Sequence, residues 1–121
     1  MKSICSFVLV FLIVIVSLVN VTYAELVPLE LYWGKERGDN FTTATKEGAQ
    51  AAINAGYKYV RIEGYVFPSK MDNTVPLKLF WGRERGDNFT TATKEGAQAA
   101  INAGYKYVRI EGYVYPAKYC Q

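Results

Sequence analysis

Histidine is absent from all 121 residues. That absence removes the imidazole general base, the Ser-His and Cys-His nucleophile pairs, and the usual zinc and copper sites. Serine is almost absent as well, since beyond residue 24 only Ser69 remains. Neither sign of charge dominates: 14 basic residues are interspersed with 11 acidic ones. No basic stripe of the kind that nucleic acid or an anionic membrane requires is present, so neither is expected as a partner. No residue set calls for a metal or a cofactor, and none is expected. What the chain does have is aromatic surface: nine tyrosines, four phenylalanines and two tryptophans follow residue 24.

Met1–Ala24 reads as a segment outside the fold. Lys2 precedes an apolar run from Ile4 to Val19, and Thr22 and Ala24 supply the small residues of a cleavage site. This is the layout of a secretory signal peptide, so the chain is expected to be secreted and extracellular. An uncleaved membrane anchor is the rival reading, because the run approaches spanning length. With Cys5 removed, Cys120 is the remaining cysteine and no internal disulfide can form. A small secreted domain without such staples depends on its apolar core. Cys120 either pairs with a second chain, giving a homodimer, or stays a capped thiol.

The remainder is written twice. Val27–Lys70 and Val75–Lys118 differ only at Glu30/Lys78, Tyr32/Phe80, Lys35/Arg83, Phe67/Tyr115 and Ser69/Ala117. The organisation expected is repeat 1 over residues 25–70, a linker over 71–74, repeat 2 over 75–118 and a tail over 119–121. A repeat of this length is one supersecondary unit that closes its core against its copy. Strands could also exchange between the copies or between two chains.

Within a unit, Leu29, Leu31 and Trp33 alternate with Glu30 and Tyr32, the period of a half-buried strand. Gly34–Asn40 reads as a turn, and Asp39–Thr43 as the second strand of a hairpin. Thr45–Ala55 takes a helical period, with Thr45 as cap, Glu47 in the first turn, and Gly56 suited to the left-handed stop. Tyr57–Phe67 is the main strand, with Val60 and Ile62 on one side and Tyr57, Tyr59, Arg61 and Glu63 on the other. Gly64 interrupts it as a bulge or bend. The fold class predicted is α+β: two ββαβ(β) repeats packed as one small domain, helices on one face of antiparallel sheet.

The units resemble a tandem repeat family of unknown function found in secreted bacterial and invertebrate proteins. Its members share a G-D-x-F-x-T-T hairpin, a short helix with an acid near its start, then G-Y and E-G-Y-V. Here the matching residues are Gly38, Asp39, Phe41, Thr43, Glu47, Gly56, Tyr57, Glu63, Gly64, Tyr65 and Val66, each with its counterpart in the second unit. The helix start departs from the pattern, because Ala44-Thr45 stands where the family is more acidic. The resemblance implies a non-catalytic accessory or surface-binding module, often beside carbohydrate-active or cell-wall domains, with no defined catalytic residues.

Four groups of residues could carry function. Glu63 with Asp39 could act as paired carboxylates; alternatively Glu63 and Glu111 pair with Arg61 and Arg109 or a turn N–H. No enzyme activity is expected. Arg37-Gly38-Asp39 and Arg85-Gly86-Asp87 are RGD tripeptides at hairpin tips, whose Asp could complete an integrin's metal site; equally, they are ordinary turn chemistry. Asn40 and Asn88 open N-glycosylation sequons, and a glycan there would crowd the neighbouring Asp. Finally, Tyr57, Tyr59 and Tyr65, with Tyr32 and Trp33 nearby and flanked by Arg61 and Glu63, could form a platform for sugar rings. Tyr105, Tyr107, Tyr113, Arg109 and Glu111 repeat it. These rings could instead be core and cross-strand packing.

The expectation is therefore a secreted, non-enzymatic protein that binds a glycan or cell-surface protein through an aromatic face present once per repeat. The alternatives are an RGD-bearing integrin ligand or antagonist, of salivary or venom type, and a self-associating extracellular structural protein.

Overall fold

A computed structural model describes residues 25–119. The expected signal peptide and Cys120 lie outside the described residues. The element order is β1 (Val27–Gly34), β2 (Asp39–Thr43), α1 (Lys46–Asn54) and β3 (Lys58–Val66), repeated as β4 (Val75–Gly82), β5 (Asp87–Thr91), α2 (Lys94–Asn102) and β6 (Lys106–Val114). A short 3-10 turn, Ala117–Tyr119, follows. Two three-stranded antiparallel sheets, ordered β2-β1-β3 and β5-β4-β6, and two helices make up one small domain.

The helix starts and stops where side-chain chemistry tells it to. Thr45 is extended, and its Oγ1 accepts the Gly48 N–H at 3.0 Å; Thr93 does the same for Gly96 at 2.9 Å. Glu47 occupies the first turn, where the helix dipole favours an acid. Gly56 then takes a φ of +84°, the left-handed conformation that glycine adopts without a Cβ penalty.

β1 is the central strand, and this changes the reading of its faces. Leu29 and Leu31 are buried as the alternation predicts, yet Tyr32 is only 5% exposed and Trp33 is 40% exposed. Tyr32 lies in a cluster with Phe41, Ala52, Tyr57 and Leu79, so the middle of the strand is covered on both faces. The single-face alternation expected for Leu29–Trp33 is thereby corrected.

β3 departs further from a regular strand. Leu29 pairs with Gly64 but Glu30 pairs with Ile62, leaving Glu63 as an extra residue. Leu31 pairs with Arg61 but Tyr32 pairs with Tyr59, leaving Val60 as a second. Each β-bulge resets the side-chain alternation. Gly64, the residue expected to interrupt the strand, is itself in register. The same shifts recur in β6.

The two sheets meet along β2 and β5 and where β3 and β6 end. A shared cluster of Leu29 and Val66 with Leu77 and Val114 draws the same residues from each repeat. Phe67 and Tyr113 exchange two backbone hydrogen bonds, of 3.0 and 2.8 Å.

Candidate functional site

Around that shared cluster the repeats do not meet symmetrically. The Asp39 carboxylate is buried and accepts the Asn88 backbone N–H at 3.1 Å, the Asn88 Nδ2–H at 2.8 Å and the Tyr57 hydroxyl at 2.7 Å. Among the described residues its counterpart Asp87 accepts from Tyr105 alone. Glu111 is 2% exposed. Its Oε2 accepts from Thr43 Oγ1 at 2.7 Å and from the Ala44 N–H at 3.0 Å, while its Oε1 accepts from Arg109 Nε at 2.8 Å. Among the described residues the counterpart Glu63 pairs with Arg61 alone, at 3.0 Å. The Arg37 guanidinium lies over the Trp81 ring, 5.2 Å from its centroid, and 6.0 Å from that of Tyr57. In every case the hairpin and helix start of repeat 1 are covered by β4, β5 and β6 of repeat 2.

These contacts border a cavity of about 300 Å³. Arg37, Phe41 and Tyr57 line it from repeat 1, and Trp81, Asn88 and Arg109 from repeat 2. An indole, a phenol and a phenyl ring thus lie around one concavity, with a guanidinium held flat by its cation–π contacts. Burial, then the hydrogen bond to Asp39, pushes the Tyr57 phenol up to about 12. Tyr57 is therefore a neutral donor fixed on Asp39. Tyr32 is also pushed up to about 12, first by burial and then by its hydrogen bond to Glu30. Among the described residues no three acidic or cysteine side chains gather where they could hold a metal ion.

The candidates taken from sequence are thus dispersed. Arg37, Tyr57, Asn88 and Arg109 come together at the junction. The platform of Tyr57, Tyr59 and Tyr65 beside Arg61 and Glu63 does not assemble as one face. Tyr57 is buried in the core cluster. Tyr59 and Arg61 lie opposite Tyr32 and Leu31, adjacent residues whose side chains take opposite faces, because the Val60 bulge separates them. The same split separates Tyr107 from Arg109 in β6. Tyr59 stacks edge-on against Tyr32 at 5.8 Å and stays exposed, as does Tyr65. The carboxylates of Asp39 and Glu63 have separate partners: Asp39 bonds Asn88 and Tyr57, and Glu63 pairs with Arg61.

In the first RGD tripeptide Asp39 is buried while Arg37 and Gly38 stay exposed. Gly38 adopts a φ of +63° in the turn, Arg37 lies against Trp81, and Asp39 is consumed by its three hydrogen-bond donors. Asp39 therefore has no carboxylate to present. In the second, Gly86 takes a φ of +67° and Asp87 stays half-buried. Asn40 is exposed, whereas Asn88 spends its amide on Asp39. Phe41 was not among the candidates, and Trp81 entered only as the counterpart of Trp33, which was expected near the platform. The one available signal was that each repeat holds a single tryptophan beside the RGD hairpin.

No helix among the described residues is long and apolar enough to cross a membrane. No curated protein and no solved structure matches the chain. Over residues 19–119 it matches the domain of unknown function DUF5648, and the chain belongs to that family.

Proposed function

We propose that the protein is a secreted, non-enzymatic binding protein that takes a glycan, free or on a cell surface, in the cleft between its repeats. The observation that supports this reading is the cavity of about 300 Å³ in which Trp81, Tyr57 and Phe41 stand with Arg37 and Asn88. Flat apolar rings receive the C–H face of a sugar, and a planar guanidinium donates to its hydroxyls. Concave, mostly apolar sites with a few fixed polar groups are where small ligands bind. Ala51, Ala52 and Ala55, with Leu79 and Val108, complete the lining. In this reading the ligand site exists once, at the junction, in place of one aromatic face per repeat.

The test is binding of the purified protein to a panel of immobilised glycans and to animal cells. Trp81→Ala abolishes binding, and Trp33→Ala, its counterpart outside the cleft, leaves it intact. Loss with Tyr59→Ala and Tyr107→Ala instead would move the site to the exposed strand and overturn the cleft assignment. An integrin-binding reading rests on repeat 2 alone, because Asp87 is half-buried whereas Asp39 is buried. Competition by an RGD peptide that Asp87→Glu removes would favour it.

A further inference from the structure

Each N-glycosylation sequon sits opposite a tryptophan. In the hairpin register Asn40 faces Trp33, and Asn88 faces Trp81. Residues directly opposite on antiparallel strands project to the same face, with Cβ atoms about 4.5–5.5 Å apart. A sugar carried by either asparagine therefore starts within reach of an indole. Sequence makes the two pairs equivalent, since Asn40-Phe41-Thr42 and Asn88-Phe89-Thr90 are the same tripeptide.

The fold makes them different. Asn88 is half-buried, and its Nδ2 donates to the buried Asp39 carboxylate at 2.8 Å. Its tryptophan is already covered, because the Arg37 guanidinium lies over the Trp81 ring. A sugar on Asn88 Nδ2 would need the space that Asp39 and Arg37 fill. Asn40 is exposed, and Trp33 opposite it is 40% exposed. Among the described residues no cation lies over Trp33. An uncovered indole beside an exposed acceptor amide is a pad for the first sugar.

We infer that Asn40 carries an N-linked glycan whose first sugar lies on Trp33, and that Asn88 is left bare. The inference rests on the reading of the chain as secreted, which brings it to the glycosylating enzyme. The donor is an oligosaccharide linked to a lipid diphosphate. The C1–O bond to that diphosphate breaks and a C1–N bond to Asn40 Nδ2 forms. One amide proton passes to the transferase's base, and the lipid diphosphate leaves. The C–H face of the sugar then covers the indole. Thr42, the third sequon residue, is 2% exposed and donates to Thr90 Oγ1 at 3.3 Å. The transferase must reach that hydroxyl, so transfer to Asn40 precedes the closing of repeat 2 onto repeat 1. This glycan belongs to the protein and stands apart from the cleft, which Trp33 does not line.

The experiment is glycopeptide mapping of the full chain expressed in insect cells, both as it stands and behind a host leader fused ahead of Met1. Failure of the unaided chain to reach the medium counts against the secreted reading alone. The sugar map is then read from the leader-directed chain. Asn40 is expected to be occupied in most molecules and Asn88 in few. Thermal unfolding of the glycosylated protein tests the pad. Asn40→Gln is expected to lower Tm by about 4–8 °C, the shift of one good contact in a domain of this size. With Trp33→Ala in place, Asn40→Gln is expected to change nothing further. A bare Asn40 overturns the inference, as does Asn88 occupied to the same extent. So does an Asn40→Gln loss that persists without Trp33, or no loss at all. Trp33→Leu serves as the second variant, should Trp33→Ala fail to fold.

Discussion

A tyrosine in this protein can be structural, stacking or free, and its hydrogen-bond partner decides which. Tyr57 and Tyr32 are held neutral, the first by burial and Asp39, the second by burial and Glu30. Tyr105 is raised chiefly by its hydrogen bond to Asp87, and then by burial. The sign of the consequence follows from linkage. A phenol whose value rises from 10.0 in the unfolded chain to about 12 in the folded one contributes stability that is complete below pH 10. That stability is lost as pH climbs from 10.0 to about 12, because the unfolded chain releases its protons first. The denaturation midpoint should fall across that interval while phenolate absorbance appears late. Tyr57→Phe with Tyr32→Phe should flatten the fall. A midpoint constant through the interval, or buried phenols that titrate near 10.0, would contradict the assignment.

At the scale of elements, local chemistry was legible and departures from regularity were not. Thr45, Glu47 and Gly56 marked both ends of α1, because capping depends on residues within one turn of one another. Thr45→Ala should cost about 1 kcal/mol in chemical denaturation, as should Thr93→Ala, since the caps share one geometry. A loss at only one of them would mean that tertiary packing, and not capping, holds that helix. The hairpin of β1 and β2 was equally readable from Gly34–Asn40. The bulges of β3 were not, since Val60 and Glu63 carry no mark of an extra residue. Gly64 drew attention because it lacks a side chain, yet its neighbour is the one that bulges. Those bulges decided the fate of the expected platform: period-2 reasoning put Tyr59 and Arg61 together, and one inserted residue parted them. Bulges with Lys58 and Arg61 on a sheet edge also hinder edge-to-edge pairing.

For the whole molecule, duplication announces two equal units, and packing makes them unequal. The cluster of Leu29, Val66, Leu77 and Val114, the Thr42–Thr90 hydrogen bond and the Phe67–Tyr115 ring contact treat the repeats alike. Beyond them, repeat 1 gives its hairpin and repeat 2 gives its strands. At the junction positions the two repeats carry the same residues, so nothing there could indicate which copy plays which part; that is a property of the arrangement. The candidate site follows from the arrangement too: Trp81 lines the cleft, while its counterpart Trp33 lies outside it. The most direct test compares Glu111→Ala with Glu63→Ala by chemical denaturation at low protein concentration. Removing Glu111 deprives a buried Arg109 contact, Thr43 and the Ala44 N–H of their acceptor, a loss of about 3–5 kcal/mol. Removing Glu63 takes away an ion pair with a largely exposed arginine, worth less than about 1 kcal/mol. Unequal losses of this order are the result the directional junction predicts, and equal losses at the two positions would contradict it.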